Sequence, residues 1–257
     1  MKKKILSLFL VIAFVAIAAI SSTLAYFKDT DHDKNTFVIG DVKIELVEQQ
    51  RDTDGKLVEY VNDKPLLPAV YIGTPTLDGT IVTPDGKTVD IYDTTINNEQ
   101  DKVVSVHNTG TNSAYIRVLF AFEDKLLDDG SYLLDLVHPV FNEDELVGEV
   151  EWLTDANGKR SLVSLTDDGV ATNYSVCTFT YKNSVAHNLY TPASLLQIYL
   201  DPMADNNFGY TVGDRYDIKV VAQAVQADGF ADNVQALTAA FGTVTVDGCL
   251  EWFADVN

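Results

Sequence analysis

Apolar and charged residues alternate along a short stretch near the start of the chain. Val42, Ile44 and Leu46 are separated by charged residues. A period of two predicts a β-strand with one buried side and one side facing solvent. Turn-forming residues occupy positions 51–56, so we expect residues 57–61 to form the second strand of a hairpin.

The longest alternating segment covers residues 114–122. Ile116 and the even-numbered positions after it fall on one side, while Leu119 shows that the other side is partly apolar too. This pattern predicts a central strand that is at least half buried. Residues 102–107 predict another strand, and the turn at 108–110 is expected to join the two as a hairpin. Further strands are predicted at 174–181, 194–200 and 215–226.

A helical pattern occurs near the C-terminus. Asp232 can cap a helix, Val234, Leu237 and Phe241 recur at i, i+3 and i+7, and Gly242 can end it. Many short strands separated by turns, with one short helix near the C-terminus, predict an all-β fold. We expect an antiparallel β-sandwich, jelly-roll-like, as a single domain.

The first 25 residues differ from the rest. Residues 2–4 are lysines, residues 5–20 are apolar except for Ser7, and residues 21–25 are mostly small. This three-part pattern predicts a signal peptide that is cleaved between Ala25 and Tyr26. The apolar run is shorter than the roughly 20 residues that span a bilayer, so retention as an anchor is only the alternative.

The domain then comprises residues 26–257. Residues 26–36 form an acidic N-terminal segment. Residues 62–98 contain four prolines and are expected to be a loop-rich excursion rather than a separate domain.

The charge of the chain restricts its partners. It has 18 basic and 38 acidic residues, a net charge of -20, and three of the basic residues lie in the leader. The mature chain therefore carries 18 − 3 = 15 basic residues and a net charge of 15 − 38 = -23. Nucleic acid is excluded as a partner because phosphate binding needs clustered lysine and arginine.

Several segments carry a family resemblance. They are residues 25–31 (AYFKDTD), residues 35–46 (NTFVIGDVKIEL), residues 104–118 and residues 220–230. The first two resemble the start of Gram-positive proteins that the signal peptidase SipW processes, including the TasA and camelysin biofilm-matrix fibre proteins. The other two are similar to strands of the same group.

The resemblance implies a secreted protein of the extracellular matrix or cell surface, with SipW as its partner during export. It also implies assembly with itself or with related matrix proteins, and no membrane contact after cleavage. The C-terminal residues 251–257 contain no Leu-Pro-x-Thr-Gly motif, so we do not expect anchoring by a sortase.

The search for catalytic motifs favours a protein that is not an enzyme. A zinc peptidase helix needs two histidines four residues apart, and none of His32, His107, His138 and His187 fits. The sequence also lacks a Gly-x-Ser-x-Gly elbow. A ligand set drawn from distant strands stays open, so a camelysin-like secreted metallopeptidase remains a less favoured alternative.

We expect no cofactor, with calcium as a weak candidate. Asp29, Asp31 and Asp33 match positions 1, 3 and 5 of an EF-hand loop. Position 6 lacks the glycine and position 12 lacks the glutamate of that motif. The alternative is a solvated acidic linker.

The chain has two cysteines, Cys177 and Cys249. Outside the cell they could form a disulfide. Cys177 lies in an apolar strand, where a buried free thiol is the alternative.

The segment after the predicted cleavage site suggests a mode of assembly. An extended strand can add to the open sheet edge of a neighbouring copy through main-chain hydrogen bonds. The residues expected to form this assembly strand are Tyr26, Phe27, Phe37, Val42, Ile44 and Leu46. The alternative is that the strand pairs within its own domain.

A different class of function is a monomeric, adhesin-like binding module. Exposed aromatic side chains on one loop surface would favour it. The candidates are Tyr132, Tyr190, Tyr199 and Tyr210.

Overall fold

The computed structural model of the protein describes residues 28–31, 42–61, 65–127, 130–167, 169–204, 216–254 and 256. Most of their regular secondary structure is β-strand. The strands are β1 (Lys28–Asp31), β2 (Ile44–Arg51), β3 (Leu57–Glu59), β4 (Gly79–Val82), β5 (Thr88–Ile91), β6 (Gln100–Asp101), β7 (Val103–Asn108), β8 (Ala114–Glu123), β9 (Val137–Phe141), β10 (Glu151–Trp152), β11 (Leu162–Asp167), β12 (Val170–Thr180), β13 (Leu195–Leu200) and β14 (Ile218–Gln226). The α-helices are α1 (Asn233–Phe241) and α2 (Val246–Trp252), and 3₁₀ turns occupy Leu133–Leu136 and Glu143–Glu145.

The larger sheet has β8 near its centre. Its order is β1-β14-β8-β12-β10, and β11 also pairs with β12. All of these pairings are antiparallel. Ile116 and Phe120 of β8 face one hydrophobic cluster and Leu119 faces another, so the predicted central strand is confirmed.

The opposing sheet is built from two antiparallel pieces. One has the order β3-β2-β7 and the other has the order β6-β13-β9. Main-chain hydrogen bonds join them where Lys102 N donates to Leu196 O at 3.0 Å and Ser194 N donates to Val104 O at 2.7 Å. The hairpin predicted between residues 42–46 and 57–61 is confirmed as β2 and β3.

The main core fills the space between the two sheets. Val104 and Val106 from one sheet and Ile116, Phe120 and Ala222 from the other are buried there. The strands that border this layer place apolar side chains into it at alternate positions, as expected for two packed sheets. The all-β, antiparallel sandwich fold is thus confirmed.

One predicted hairpin is wrong. β7 pairs with β2 and β8 pairs with β14 and β12, so residues 109–113 cross from one sheet to the other. Asn108 builds this corner, since its Nδ2 donates to Asn112 O at 2.9 Å and to Val185 O at 2.7 Å, while its Oδ1 accepts from Gly110 N. The buried amide thus replaces the tight turn that the sequence suggested.

Two helices, not one, lie near the C-terminus. The predicted helix α1 is confirmed, with Asp232 accepting from Gln235 N at 2.8 Å and Gly242 ending it. Helix α2 was not predicted from the sequence, and Thr245 caps it by accepting from Gly248 N. Both helices pack on the outer face of the larger sheet, through Leu237 of α1 and Cys249 of α2.

The loop-rich excursion adds a further layer. β4 and β5 form a hairpin. Their Ile81 and Ile91 pack against Val103 and Leu196 on the outer face of the opposing sheet. Among the described residues, no helix combines the length and apolar character needed to cross a membrane.

Candidate functional site

The candidate assembly edge is the edge of the larger sheet that β1 forms. β1 pairs with β14 in antiparallel register from Lys28 opposite Val225 to Asp31 opposite Ala222. The other side of β14 is occupied by β8. β1 is therefore an edge strand, and main-chain pairing attaches it to the sheet.

β1 covers only part of β14. β14 continues over Ile218–Val221, beyond the described length of β1. β2 begins at Ile44, so the connection between the two strands comprises residues 32–43. A connection of 12 residues can span up to roughly 40 Å when extended.

The later part of the predicted assembly strand lies inside the chain's own core. Val42 and Ile44 are 2% and 4% exposed, and Leu46 packs against the same cluster. β2 is also flanked on both sides, by β3 and β7. Tyr26, Phe27 and Phe37 lie outside the described residues, as does the cleavage site at Ala25. β1 and β2 both pair with strands of their own chain in this structure, which is the alternative given above, and only residues that precede β2 remain candidates for exchange.

The calcium candidates do not share a loop. Asp29 and Asp31 belong to strand β1, whereas Asp33 lies outside the described residues. No group of three or more histidine, cysteine, aspartate or glutamate residues in the described part of the chain is placed to hold a metal ion.

The three described histidines lie in separate contacts. His138 Nε2 is 3.1 Å from Asp201 Oδ2, and His107 Nε2 is 3.3 Å from Asn188 Oδ1. His187 Nδ1 lies within hydrogen-bond distance of Gly110 O. They do not converge on one centre.

The two cysteines are free thiols on opposite faces of the larger sheet. Cys177 lies opposite Phe120 and faces the main core, whereas Cys249 packs with Leu119 on the helical side. Burial raises the pKa of the Cys177 thiol well above its ordinary value and the pKa of Cys249 to about 11. The disulfide considered from the sequence is therefore not formed, because the sheet separates the two sulfur atoms.

The candidate aromatic residues do not form one surface. Tyr199 contacts His138 and Tyr92, with ring centroids 4.8 Å and 5.7 Å away. Tyr190 stacks on His107 at 4.2 Å, and Tyr132 lies beneath Arg160. Tyr210 is outside the described residues.

Tyr199 and Tyr92 line a groove of about 720 Å³ between the β4–β5 hairpin and β9. Its border is acidic, with Asp90, Glu143 and Asp144 among the lining residues. Burial raises the pKa of Tyr199 to about 12, so its hydroxyl stays neutral.

Arg117 and the cavity that it lines were not predicted from the sequence. Arg117 lies on the outer face of β8, 6% exposed, and lines a cavity of about 390 Å³ that is bordered by α1 and the loop after it. A charged residue within an otherwise apolar strand was the available signal. The cavity itself depends on how α1 sits on the sheet.

Comparison of the chain with family models, with curated proteins and with solved structures finds no match.

Proposed function

We propose that this protein is an exported structural subunit of the extracellular matrix or cell surface, which forms fibres by exchanging its N-terminal strand between copies. The observation that carries the proposal is the position of β1, an edge strand of four residues paired with the long strand β14. The basic and apolar leader supports export, and the resemblance of residues 25–46 to SipW-processed matrix proteins supports the structural role.

The geometry of this edge supports strand exchange. The pairing of β1 with β14 inside one subunit can be replaced by the same pairing between two subunits, so few main-chain hydrogen bonds are lost in the exchange. Because each subunit donates β1 on one side and accepts on the other, the contact is head-to-tail. Such a contact does not close on itself and produces a filament.

Removing the donor segment tests this proposal. We expect residues 26–257 to form filaments visible by negative-stain electron microscopy, and we expect deletion of residues 26–35 to abolish them. The buried residues Val42 and Ile44 are retained in the deletion, so the sandwich should still fold and give a strand-type circular dichroism spectrum.

A pair of substitutions refines the test. In D29P/T30P, proline removes two consecutive N–H donors, and one of two neighbouring residues in an antiparallel strand faces its partner. This variant should lose filaments, whereas the matched control D29N/T30V keeps the N–H groups and should form them. Persistently monomeric wild-type protein, or filaments in D29P/T30P, would contradict strand exchange.

Assembly should depend on ionic strength. The mature net charge of 15 − 38 = -23 opposes association, and salt screens this repulsion over a Debye length of roughly 10 Å at 0.1 M. Raising sodium chloride or adding a divalent cation should therefore accelerate filament growth, followed by light scattering. Sucrose at equal osmolality is the uncharged control, and an equal acceleration by sucrose would show that charge repulsion does not limit assembly.

The groove at Tyr199 favours a second candidate function, that of an adhesin-like binding module. Its aromatic floor and acidic border fit a cationic peptide segment. In that case Tyr199→Ala should reduce binding of an oligolysine–tyrosine peptide by several-fold while leaving filament formation unchanged. Unchanged peptide binding by this variant would count against the second candidate.

A further inference from the structure

A cavity of about 390 Å³ opens on the outer face of the larger sheet, beside α1. This volume falls within the roughly 300–1,000 Å³ that is typical of small-molecule sites. Its floor is built by neighbouring strands, where Glu151 of β10 lies opposite Thr178 of β12 and Thr180 lies opposite Arg117 of β8. Side chains of four residues with polar groups are thus fixed on a rigid surface.

Thr178 is a buried polar residue of this floor, and it is only 4% exposed. Its neighbours Cys177 and Phe179 face the main core, so Thr178 points to the outer face and into the cavity. Within the described part of the chain its hydroxyl forms no hydrogen bond, yet its oxygen is not sealed off by protein atoms. A buried hydroxyl without a partner favours a ligand that can pair with it.

Arg117 is part of the floor but is not available to a ligand. Its Nε donates to Gln223 Oε1 at 2.7 Å. The rings of Phe241 and Trp252 cover the guanidinium, with centroids 5.6 Å and 5.3 Å from Cζ. Any ligand must therefore be held by the hydroxyl and carboxylate groups of the cavity.

The charges around the cavity favour a neutral ligand. Burial lowers the pKa of Arg117 to about 10, so its guanidinium is charged at neutral pH and repels a cation that enters. The exposed Glu149 and Glu151 line the cavity and would repel an anion. A ligand without net charge meets neither penalty.

We propose that this cavity binds a neutral polyhydroxylated ligand of monosaccharide size, such as a hexose. The hydroxyls of Thr178 and Thr180 can both donate and accept, and the carboxylate of Glu151 accepts hydrogen bonds from ligand hydroxyls. Val234 and Leu237 of α1 form an apolar wall against which the C–H face of a sugar ring packs.

NMR titration of the isotopically labelled protein tests the site. We expect at least one of glucose, galactose and mannose to bind with a dissociation constant of about 1–10 mM. This hexose should shift the amide resonances of Thr178, Thr180 and Glu151 and leave that of Tyr199, in the other groove, unchanged. Glucuronate should bind at least fivefold more weakly, because its carboxylate adds a negative charge beside Glu149 and Glu151.

Removing one hydroxyl gives a sharper test. Thr178→Val keeps the shape of the side chain but removes the hydroxyl, so hexose binding should weaken at least fivefold. The urea midpoint should not fall, because this hydroxyl has no hydrogen bond to lose within the described residues. Thr172→Val is the matched control, since Thr172 lies on the same strand but does not line the cavity, and its hexose affinity should be unchanged.

The proposal is overturned if none of the three hexoses binds, or if Thr178→Val binds the hexose as tightly as the wild type. Glucosamine that binds more than tenfold tighter than every neutral hexose would also overturn it, because the cavity would then be a cation site. A lower urea midpoint in Thr178→Val would count against it as well, since the hydroxyl would then be paired within the protein. Residues 26–257 are titrated at low ionic strength, where filament growth should be slow, so the outcome does not depend on filament formation.

Discussion

Replacing Phe120 with alanine should lower the free energy of unfolding by about 3–5 kcal/mol. Phe120 is fully buried at the centre of β8, where the two sheets face each other. Its ring centroid lies 6.0 Å from that of Phe122 and 5.5 Å from that of Phe141. The substitution removes the apolar area of the ring and leaves a cavity that strands fixed on both sides cannot close.

Equilibrium denaturation in urea, followed by circular dichroism, measures this loss. The midpoint should fall while the slope of free energy against denaturant stays the same. Ile72→Ala is the control, because Ile72 is 99% exposed and its truncation should change stability by less than about 0.5 kcal/mol. A loss below 1 kcal/mol in Phe120→Ala would mean that the sheets do not pack around this ring.

The strands could be predicted because apolar and polar residues alternate locally along them. β8 and β14 carry apolar residues on both sides, and the structure buries both sides, one against the opposing sheet and one against the helices. The hairpin between β7 and β8 could not be judged from local sequence. Asn108, read as a turn residue, has its amide buried against Val185, which lies 77 positions away along the chain.

The second helix was missed because its local signal is weak. Helix α2 is short and contains Gly248, which lowers helix propensity. Its burial comes from Cys249 and from Phe253, the residue that ends it, both packed on the outer face of the sheet. Tertiary packing therefore stabilises a helix that the sequence pattern alone does not predict.

The candidate sites were predictable only in part. The sequence predicts an extended strand in the acidic N-terminal segment, but it does not identify β14 as the partner of this strand, which depends on the free edge of the larger sheet. The period of two in β8 places Arg117 on the face opposite Ile116, so its position on the outer face could be predicted. The cavity beside it results from the way α1 and the following loop lie over the sheet.

Replacing Arg51 with alanine should lower the free energy of unfolding by about 2–3 kcal/mol. Arg51 ends β2, and its Nε and Nη2 donate to the two oxygens of Asp101 at 2.6 Å and 2.9 Å. Its Nη1 donates to Asp93 at 2.7 Å, so one side chain joins β2, β6 and the loop after β5. The Asp101 side chain is only 11% exposed, and alanine at position 51 would leave its charge without the cation.

Thermal or urea denaturation of four proteins measures the coupling: the wild type, Arg51→Ala, Asp101→Asn and the double variant. The free energy of unfolding of the double variant should fall by less than the sum of the two single decreases, because the double variant has no unpaired charge at position 101. Lys87→Ala is the control for an exposed ion pair, since the Lys87 side chain is 56% exposed beside Glu145, and its loss should stay below about 1 kcal/mol. The Arg51 effect should also persist in 0.5 M salt, because the Arg51–Asp101 pair is shielded from solvent. Additive losses, or a loss in Arg51→Ala no larger than in Lys87→Ala, would show that this pair does not hold β2 to β6.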